Sequence, residues 1–186
     1  MRDLDNQITA LENEAVVASA ACGAGVMPFR VWRPQHDQMG GELLVLLHGG
    51  SGSWNHWIKN IPLLSSYYEL VVPDLPGLGD AASLARDASP EVVAGIVAEG
   101  LKSVLGPRRF HLLCFSWGSA VGSLVTARLG EQVKSLMLVG PASLGRMSTG
   151  AVRLKLRSRS RDMTEEEINN VNRENLAQLM IYDRDK

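Results

Sequence analysis

The sequence LLCFSWGSA, at residues 112–120, decides how this chain is interpreted. An aliphatic run suited to a buried strand leads directly into Ser116, and a helical pattern follows without a linker. A turn this tight needs small neighbours, and the sequence supplies them: Gly118, Ser119, Ala120, Gly122 and Ser123. The turn predicts that the Ser116 hydroxyl lies at a helix N-terminus, where free N–H groups favour developing negative charge. Ser116 is therefore a candidate catalytic nucleophile.

A plainer interpretation of Ser116 remains open, because serine is also a preferred N-cap residue. The strand–turn–helix pattern of serine nucleophiles usually reads Gly-x-Ser-x-Gly, and here Cys114 occupies the first glycine position. Cysteine is small enough for that position, and inside a buried strand it is expected to be an ordinary core residue.

A second segment, HGGSGSW at residues 48–54, directly follows the aliphatic run Leu43–Leu47. Glycines let the backbone approach a substrate closely, and acyl transfer needs N–H donors aimed at the developing oxyanion. We expect the backbone N–H groups of Gly50 and Trp117 to be these donors. Gly49, Ser51 and Phe115 are expected to contact substrate. A phosphate-binding loop is the competing interpretation, but neither Gly-Lys-Ser/Thr nor Gly-x-Gly-x-x-Gly is present.

A third segment, PDLPGLGD at residues 73–80, combines two prolines and two glycines and predicts a rigid turn. Asp74 and Asp80 are interpreted here as turn-forming residues rather than catalytic ones.

The rest of the chain predicts an α/β fold with three layers, α/β/α, and a mostly parallel sheet. Two extended runs around residues 22–25 indicate an N-terminal antiparallel hairpin, with Cys22 exposed in its turn. Helices are expected over Pro90–Leu105, ended by Gly106, and over Trp117–Leu129, ended by Gly130. The predicted buried strands are Leu43–Leu47, Leu70–Val72, Phe110–Cys114 and Leu136–Val139.

The C-terminal segment has a different character. Residues 153–161, RLKLRSRSR, form a basic run, and residues 164–167 predict a capping box with acids in the first helical turn. These acids balance the basic run, so a solvated linker is favoured over nucleic-acid binding. The predicted organisation is an N-terminal helix or arm over 1–13, a core over 14–145 and the start of a helical cap over 146–186.

Composition narrows the class of protein. The chain has 186 residues, 45% of them hydrophobic and 21% charged, with a net charge of −1, as in an ordinary globular domain. Two cysteines exclude a disulfide-built scaffold, and the acidic N-terminus does not resemble a secretory signal. We expect a cytoplasmic protein with a small-molecule substrate, and no nucleic-acid or membrane partner, metal or cofactor.

Together these segments resemble the α/β-hydrolase fold superfamily. The resemblance covers about residues 14–186 and rests on His48-Gly49-Gly50, on residues 74–79 and on residues 114–118, in the family's order. The most similar subgroup comprises capped ester hydrolases and carbon–carbon hydrolases of meta-cleavage products. The resemblance implies a serine nucleophile that forms an acyl-enzyme. The carbon–carbon hydrolases often have Asn before that serine, where this chain has Phe115.

The chain departs from the family's pattern in its base. The family places an acid and then a histidine after the nucleophile, on the loops of a seventh and an eighth strand, and no histidine follows Ser116. The four histidines, His36, His48, His56 and His111, all precede it. We therefore expect a fold that lacks its last strands, low activity in the chain as written, and self-association through an exposed sheet edge. A cleaved form, a remainder on another chain and a degenerate, non-catalytic binding module all remain open.

Overall fold

The structure is a computed structural model that describes residues 2–34, 41–85 and 88–141, together with residues 164, 166, 167, 170 and 171. Its helices are α1 (Arg2–Glu14), α2 (Ile61–Leu64), α3 (Pro90–Leu105) and α4 (Trp117–Leu129), with short 3-10 helices at Trp54–Trp57 and Gly130–Gln132. Its strands are β1 (Val16–Cys22), β2 (Gly25–Trp32), β3 (Glu42–Leu47), β4 (Tyr68–Pro73), β5 (Phe110–Phe115) and β6 (Val133–Val139).

The six strands form one mixed sheet in the order β1-β2-β4-β3-β5-β6. The hairpin β1–β2 is antiparallel and joins the sheet through an antiparallel pairing of β2 with β4. From β4 onward, all pairings are parallel. In a parallel sheet the carboxyl ends of neighbouring strands lie at one edge. The loops after β3, β4 and β5, which carry the three sequence motifs, therefore converge there.

Each face of the sheet has its own hydrophobic core, which confirms the three-layer α/β/α fold. On one face α3 and α4 cover a cluster that includes Phe29, Val45 and Leu112. On the other face Leu11 of α1, the 3-10 helix Trp54–Trp57 and Ile61 of α2 pack against Leu46 and Leu70. The strands β3 and β4 read as continuous aliphatic runs because both of their faces are buried.

The predicted elements are confirmed with small changes in their bounds. The expectation that Leu136–Val139 is a buried strand is wrong, because β6 has a neighbouring strand on one side only in the described part of the sheet and most of its residues are exposed. β4 begins at Tyr68, two residues early, because Tyr68 and Glu69 pair with the start of β3. The expectation that Cys22 is exposed in the hairpin turn is wrong: Cys22 pairs with Gly25, is fully buried and lies within hydrogen-bond reach of the Ala82 carbonyl. Cys114 is fully buried, as expected, and burial raises the pKa of its thiol to about 12.

The chain divides into two compact units, Met1–Gly145 and Arg146–Lys186. In the second unit the predicted capping box is present, with Thr164 Oγ1 accepting from the Glu167 N–H and the Glu167 carboxylate accepting from the Thr164 N–H. The basic run at 153–161 and most of the predicted cap helix lie outside the described residues, and the cap stays a prediction. No helix among the described residues is long and apolar enough to span a membrane.

Candidate active site

Ser116 occupies the turn between β5 and α4 in a strained backbone conformation. Its φ is 52° and its ψ is −114°, in a region that non-glycine residues rarely adopt and that costs about 1–3 kcal/mol. Its N–H donates to the Val139 carbonyl at 2.9 Å, which fixes the turn to β6. Its hydroxyl does not cap α4, and none of the described residues hydrogen-bonds it. The plainer N-cap interpretation therefore does not account for this serine.

Two glycines of α4 allow the helix to lie against the sheet. A methyl group on Gly118 would lie 2.5 Å from the His48 carbonyl oxygen and 2.6 Å from the Leu47 carbonyl oxygen. At Gly122 a methyl group would overlap the Cys114 sulfur. The expectation of small residues after Ser116 is thus explained by contact with β3 and β5.

The loop that follows β3, residues 48–53 and here called the glycine loop, packs directly on the Ser116 turn. A methyl group on Gly49 would lie 3.0 Å from the Phe115 ring and 3.2 Å from Ser116 Cβ, and one on Gly50 would lie 3.5 Å from Trp117 Cβ. The five residues Gly49, Gly50, Phe115, Ser116 and Trp117, predicted to share one site, are therefore neighbours.

Ser51 lies further along the glycine loop and lines a cleft. Its φ is 56°, and Ser51 and Ser116 are the two non-glycine residues with positive φ in the described part of the chain. The cleft has a volume of about 460 Å³, and Gly50, Ser51 and Trp117 are among the residues that line it. Apolar side chains that include Leu78, Leu84 and Val93 form most of the remaining lining. This arrangement suits a small, mostly apolar ligand next to a few polar backbone groups.

His48 is a structural residue beneath the glycine loop. It is fully buried, its Nδ1 donates to the Gly49 carbonyl at 2.8 Å, and its Nε2 accepts from the Leu75 N–H at 2.9 Å. Burial is the main cause that lowers the pKa of His48 below 6.5, so the ring is neutral at pH 7. The neutral ring connects the loops after β3 and β4.

His56 also uses its ring within the glycine loop. Its Nδ1 accepts from the Gly49 N–H at 3.2 Å, which leaves the proton of the neutral ring on Nε2. The ring lies over Gly52 and meets the Phe115 ring edge-on, with 5.6 Å between centroids. The side chain is still exposed at one side, and its partial burial lowers its pKa. In this state His56 has no free lone pair with which to take a proton from Ser116.

His111 is far from Ser116 although both belong to the same strand and turn. It lies at the start of β5, and five residues of extended chain correspond to roughly 16 Å. In the part of the chain that the structure describes, no group of three or more His, Cys, Asp and Glu side chains is placed to hold a metal ion.

Sequence reasoning missed the charged network that supports the site. Asp74, interpreted as a turn former, is fully buried and its carboxylate accepts from the Trp54 N–H at 2.7 Å and the Asp80 N–H at 3.0 Å. Arg30 of β2 forms ion pairs with Asp74 and Asp80, and its guanidinium carbon lies 4.9 Å from the centroid of the Trp54 ring. The signal was available, since Arg30 is a charged residue within an otherwise apolar strand.

Comparisons with known proteins identify the family. The sequence profile of the α/β hydrolase fold matches residues 42–180. A 2-hydroxy-6-oxo-6-phenylhexa-2,4-dienoate hydrolase from Burkholderia cepacia is 29% identical over 125 residues, which cover 65% of this chain and 43% of that protein. A 2-hydroxy-6-oxononadienedioate/2-hydroxy-6-oxononatrienedioate hydrolase from Comamonas testosteroni is 30% identical with the same coverage.

Solved structures give the same result. Cfl2 from Burkholderia cenocepacia has a TM-score of 0.66 and 26% identity, and the match covers 88% of this chain and 57% of that one. The epoxide hydrolase CorEH has a TM-score of 0.61 and 26% identity, with 75% and 47% covered. The chain spans about half the length of the proteins it matches. On the profile match and the shared fold, this chain belongs to the α/β hydrolase fold family.

Proposed function

We propose that this chain carries the nucleophile and the oxyanion-binding groups of a serine hydrolase. Ser116 Oγ attacks the carbonyl carbon of an ester or related substrate and forms an acyl-enzyme. The backbone N–H groups of Gly50 and Trp117 stabilise the oxyanion, while Gly49, Ser51 and Phe115 contact the substrate. The observation that carries the proposal is the strained, uncapped conformation of Ser116 beneath the glycine loop.

The proposal assigns the catalytic acid and base to groups outside this chain. No histidine follows Ser116 in the sequence. His48 uses its ring nitrogens to bond the backbone of Gly49 and Leu75, and His56 Nδ1 accepts from the Gly49 N–H. A serine without a base is a weak nucleophile. The chain as written is therefore expected to acylate slowly with activated substrates and to turn over poorly.

Labelling with an aryl fluorophosphonate tests the role of Ser116. The chain, and any longer product of the same gene that hydrolyses esters, is labelled and the adduct is located by peptide mass mapping. We expect the adduct on Ser116, its loss in Ser116→Ala and its retention in Ser123→Ala, whose wild-type hydroxyl is bonded to the Ser119 carbonyl. An active longer product without an adduct on Ser116 would exclude the proposal.

Carbon–carbon bond hydrolysis is a narrower form of the same proposal. Relatives from Burkholderia cepacia and Comamonas testosteroni, 29% and 30% identical, are named as hydrolases of a 2-hydroxy-6-oxo dienoate and of a 2-hydroxy-6-oxo dienedioate or trienedioate. Phe115 stands where that subgroup often has Asn, so we place ester hydrolysis first. Assays of a longer gene product with both substrate types discriminate them, and a preference for the dienoate would reverse this order.

The second candidate is a non-catalytic binding module on the same scaffold, which would be favoured if the gene product contained no histidine after Ser116. The cleft beside Gly50 and Trp117 would then bind a small apolar ligand without converting it. Saturable binding of an aryl ester, with neither hydrolysis nor phosphonate labelling in any longer gene product, would select this candidate.

We also infer that the chain self-associates through β6 and functions in the cytoplasm. In the described part of the sheet, β6 has a neighbouring strand on one side only, and Met137 and Val139 are exposed. A second copy of the chain that pairs along this edge would satisfy its free backbone groups.

Localisation of a fluorescent fusion tests the cytoplasmic assignment, and a membrane or secreted location would contradict it.

A further inference from the structure

A second serine, Ser135, belongs to a cluster of hydrogen-bonded side chains near the amino-terminal ends of the parallel strands, whereas Ser116 lies at their carboxyl ends. Ser135 Oγ is 2.7 Å from His111 Nδ1, and His111 Nε2 is 2.9 Å from Glu42 Oε2. The three residues belong to β6, β5 and β3, which are adjacent strands. Sheet register places them on one face, because His111 pairs with both Ser135 and Leu44, and Glu42 precedes Leu44 by two residues. The pairing of the three strands therefore brings the side chains of Ser135, His111 and Glu42 together.

When the His111 ring is neutral, the acceptors of this cluster determine where its protons lie. An ionised carboxylate can only accept, so the Glu42 carboxylate takes the hydrogen bond from His111 Nε2–H. In the neutral ring Nδ1 then has a free lone pair, and the Ser135 hydroxyl donates to it. Lys134 also donates to Glu42, and hydrogen bonds from Lys134 and His111 lower the pKa of Glu42, so it is ionised at neutral pH. This is the order of a nucleophile, a base and an acid that orients the base.

A pocket adjoins this cluster. It has a volume of about 220 Å³, and both Ser135 and His111 line it. The remaining lining is mostly apolar and comes from Leu44, Leu64, Tyr68, Leu112, Leu113 and Met137. A short aliphatic or aromatic acyl group fits a pocket of this size and chemistry. The nucleophile, its base and a binding surface are thus present together.

We propose that Ser135, His111 and Glu42 form a second acyl-transfer site that reacts with activated esters of short apolar acids. Ser135 Oγ attacks the ester carbonyl while its proton passes to His111 Nδ1. The alcohol or phenol leaves with that proton, and an acyl ester of Ser135 remains. Water then attacks this ester with His111 again as the base, which releases the acid and restores the serine. The site is roughly 16 Å from Ser116 and does not depend on it.

The experiment uses the Ser116→Ala chain, so that the first serine cannot react. The chain is labelled with an aryl fluorophosphonate, and the adduct is located by peptide mass mapping. The rate of p-nitrophenyl butyrate hydrolysis is then measured. We expect an adduct on Ser135 and its loss in Ser135→Ala. In His111→Gln the labelling rate of Ser135 should fall by a factor of about 100 or more. Ser65→Ala is the matched control, since Ser65 directly follows Leu64 of the pocket lining and its hydroxyl donates to the Pro62 carbonyl rather than to a histidine. It should leave both rates unchanged.

A comparison of two serines within the same protein does not depend on whether a further variant folds correctly. Ser65 and Ser135 of the Ser116→Ala chain are exposed to the same reagent, and their labelling rates are compared by quantitative mass spectrometry. A ratio well above ten supports the proposal. Equal rates, or a Ser135 rate that His111→Gln leaves unchanged in a chain with native circular dichroism, would overturn it and reduce the cluster to a polar link between three strands.

Discussion

Gly118 shows at the scale of one residue how the candidate site depends on close contact between elements. The first turn of α4 lies on the carbonyl groups of Leu47 and His48, and no side chain fits between them. The same contact brings the backbone of the glycine loop against Ser116 and Trp117. Packing at position 118 and geometry at position 116 are thus coupled.

Gly118→Ala is expected to lower the free energy of unfolding by about 1–3 kcal/mol, because its methyl group would overlap two backbone carbonyl oxygens. Gly95→Ala in α3 is the matched control. Its methyl group would have no neighbour within 4 Å, and alanine should raise the free energy of unfolding by about 0.5–1 kcal/mol. Urea titration of both variants measures the difference. Equal effects would contradict the packing described here.

His48 makes the stability of the chain depend on pH. Its pKa in the folded chain is below 6.5, chiefly because the ring is buried, whereas the unfolded chain has the ordinary value. Below pH 6.5 the unfolded chain therefore binds the proton that the folded chain does not. As the pH is lowered below 6.5, protonation of His48 in the unfolded chain should therefore decrease the free energy of unfolding by up to about 1.4 kcal/mol per pH unit.

Urea titrations at a series of pH values measure this slope, and His48→Gln should reduce it. The carboxyl groups of Glu42, Glu91 and Glu167 have lowered pKa values and act below pH 4.5, outside this window. Partial burial also lowers the pKa of His56, so His56 accounts for part of the slope that His48→Gln leaves. An unchanged slope between pH 6.5 and 5 in His48→Gln would show that His48 is not the group responsible.

At the scale of elements, the network of Arg30 and Asp74 joins the hairpin to two loops of the candidate site. Arg30 belongs to β2, Asp74 follows β4, and Trp54 begins the 3-10 helix after the glycine loop. A buried carboxylate that loses its cation, or the reverse, is strongly unfavourable. The network therefore holds the glycine loop in register with the sheet.

Arg30→Met and Asp74→Asn should each lower the free energy of unfolding by about 3–5 kcal/mol. The double variant should lose at least about 1 kcal/mol less than the sum, because each change removes the partner that the other leaves unpaired. Arg108→Met is the control, since the Arg108–Glu69 pair is exposed at its arginine end and should contribute about 1 kcal/mol or less. Additive losses in the double variant would contradict the coupling.

The elements and their three-layer arrangement could be predicted, but the pairing of distant strands could not. Strands such as Leu43–Leu47 are recognisable because burial on both faces requires continuous aliphatic residues. The pairing of β2 with β4 instead depends on residues that are 38 to 44 positions apart, for which one sequence carries no local signal. Cys22 was misplaced for the same reason, since the Ala82 segment that covers it is distant in sequence. Asp74 and Arg30 form a pair only in the folded sheet.

At the scale of the whole molecule, the edge of the sheet at β6 is the feature with the largest expected consequence. Lysine on an edge strand opposes pairing with another chain. Met137→Lys is therefore expected to shift the chain toward monomer in sedimentation velocity. Leu63→Lys is the matched control, because Leu63 is equally exposed but belongs to α2. A chain that is monomeric at all concentrations would contradict self-association through β6.

The neighbouring, mutually tilted indoles of Trp32 and Trp54 provide an optical reporter of this architecture. Their ring centroids are 5.8 Å apart with an interplanar angle of 37°, a geometry in which two transition dipoles couple and give an exciton signal in circular dichroism. Trp32 belongs to the hairpin, and Trp54 is adjacent to the glycine loop. The exciton signal therefore reports, without any ligand or label, whether the glycine loop is packed against the sheet.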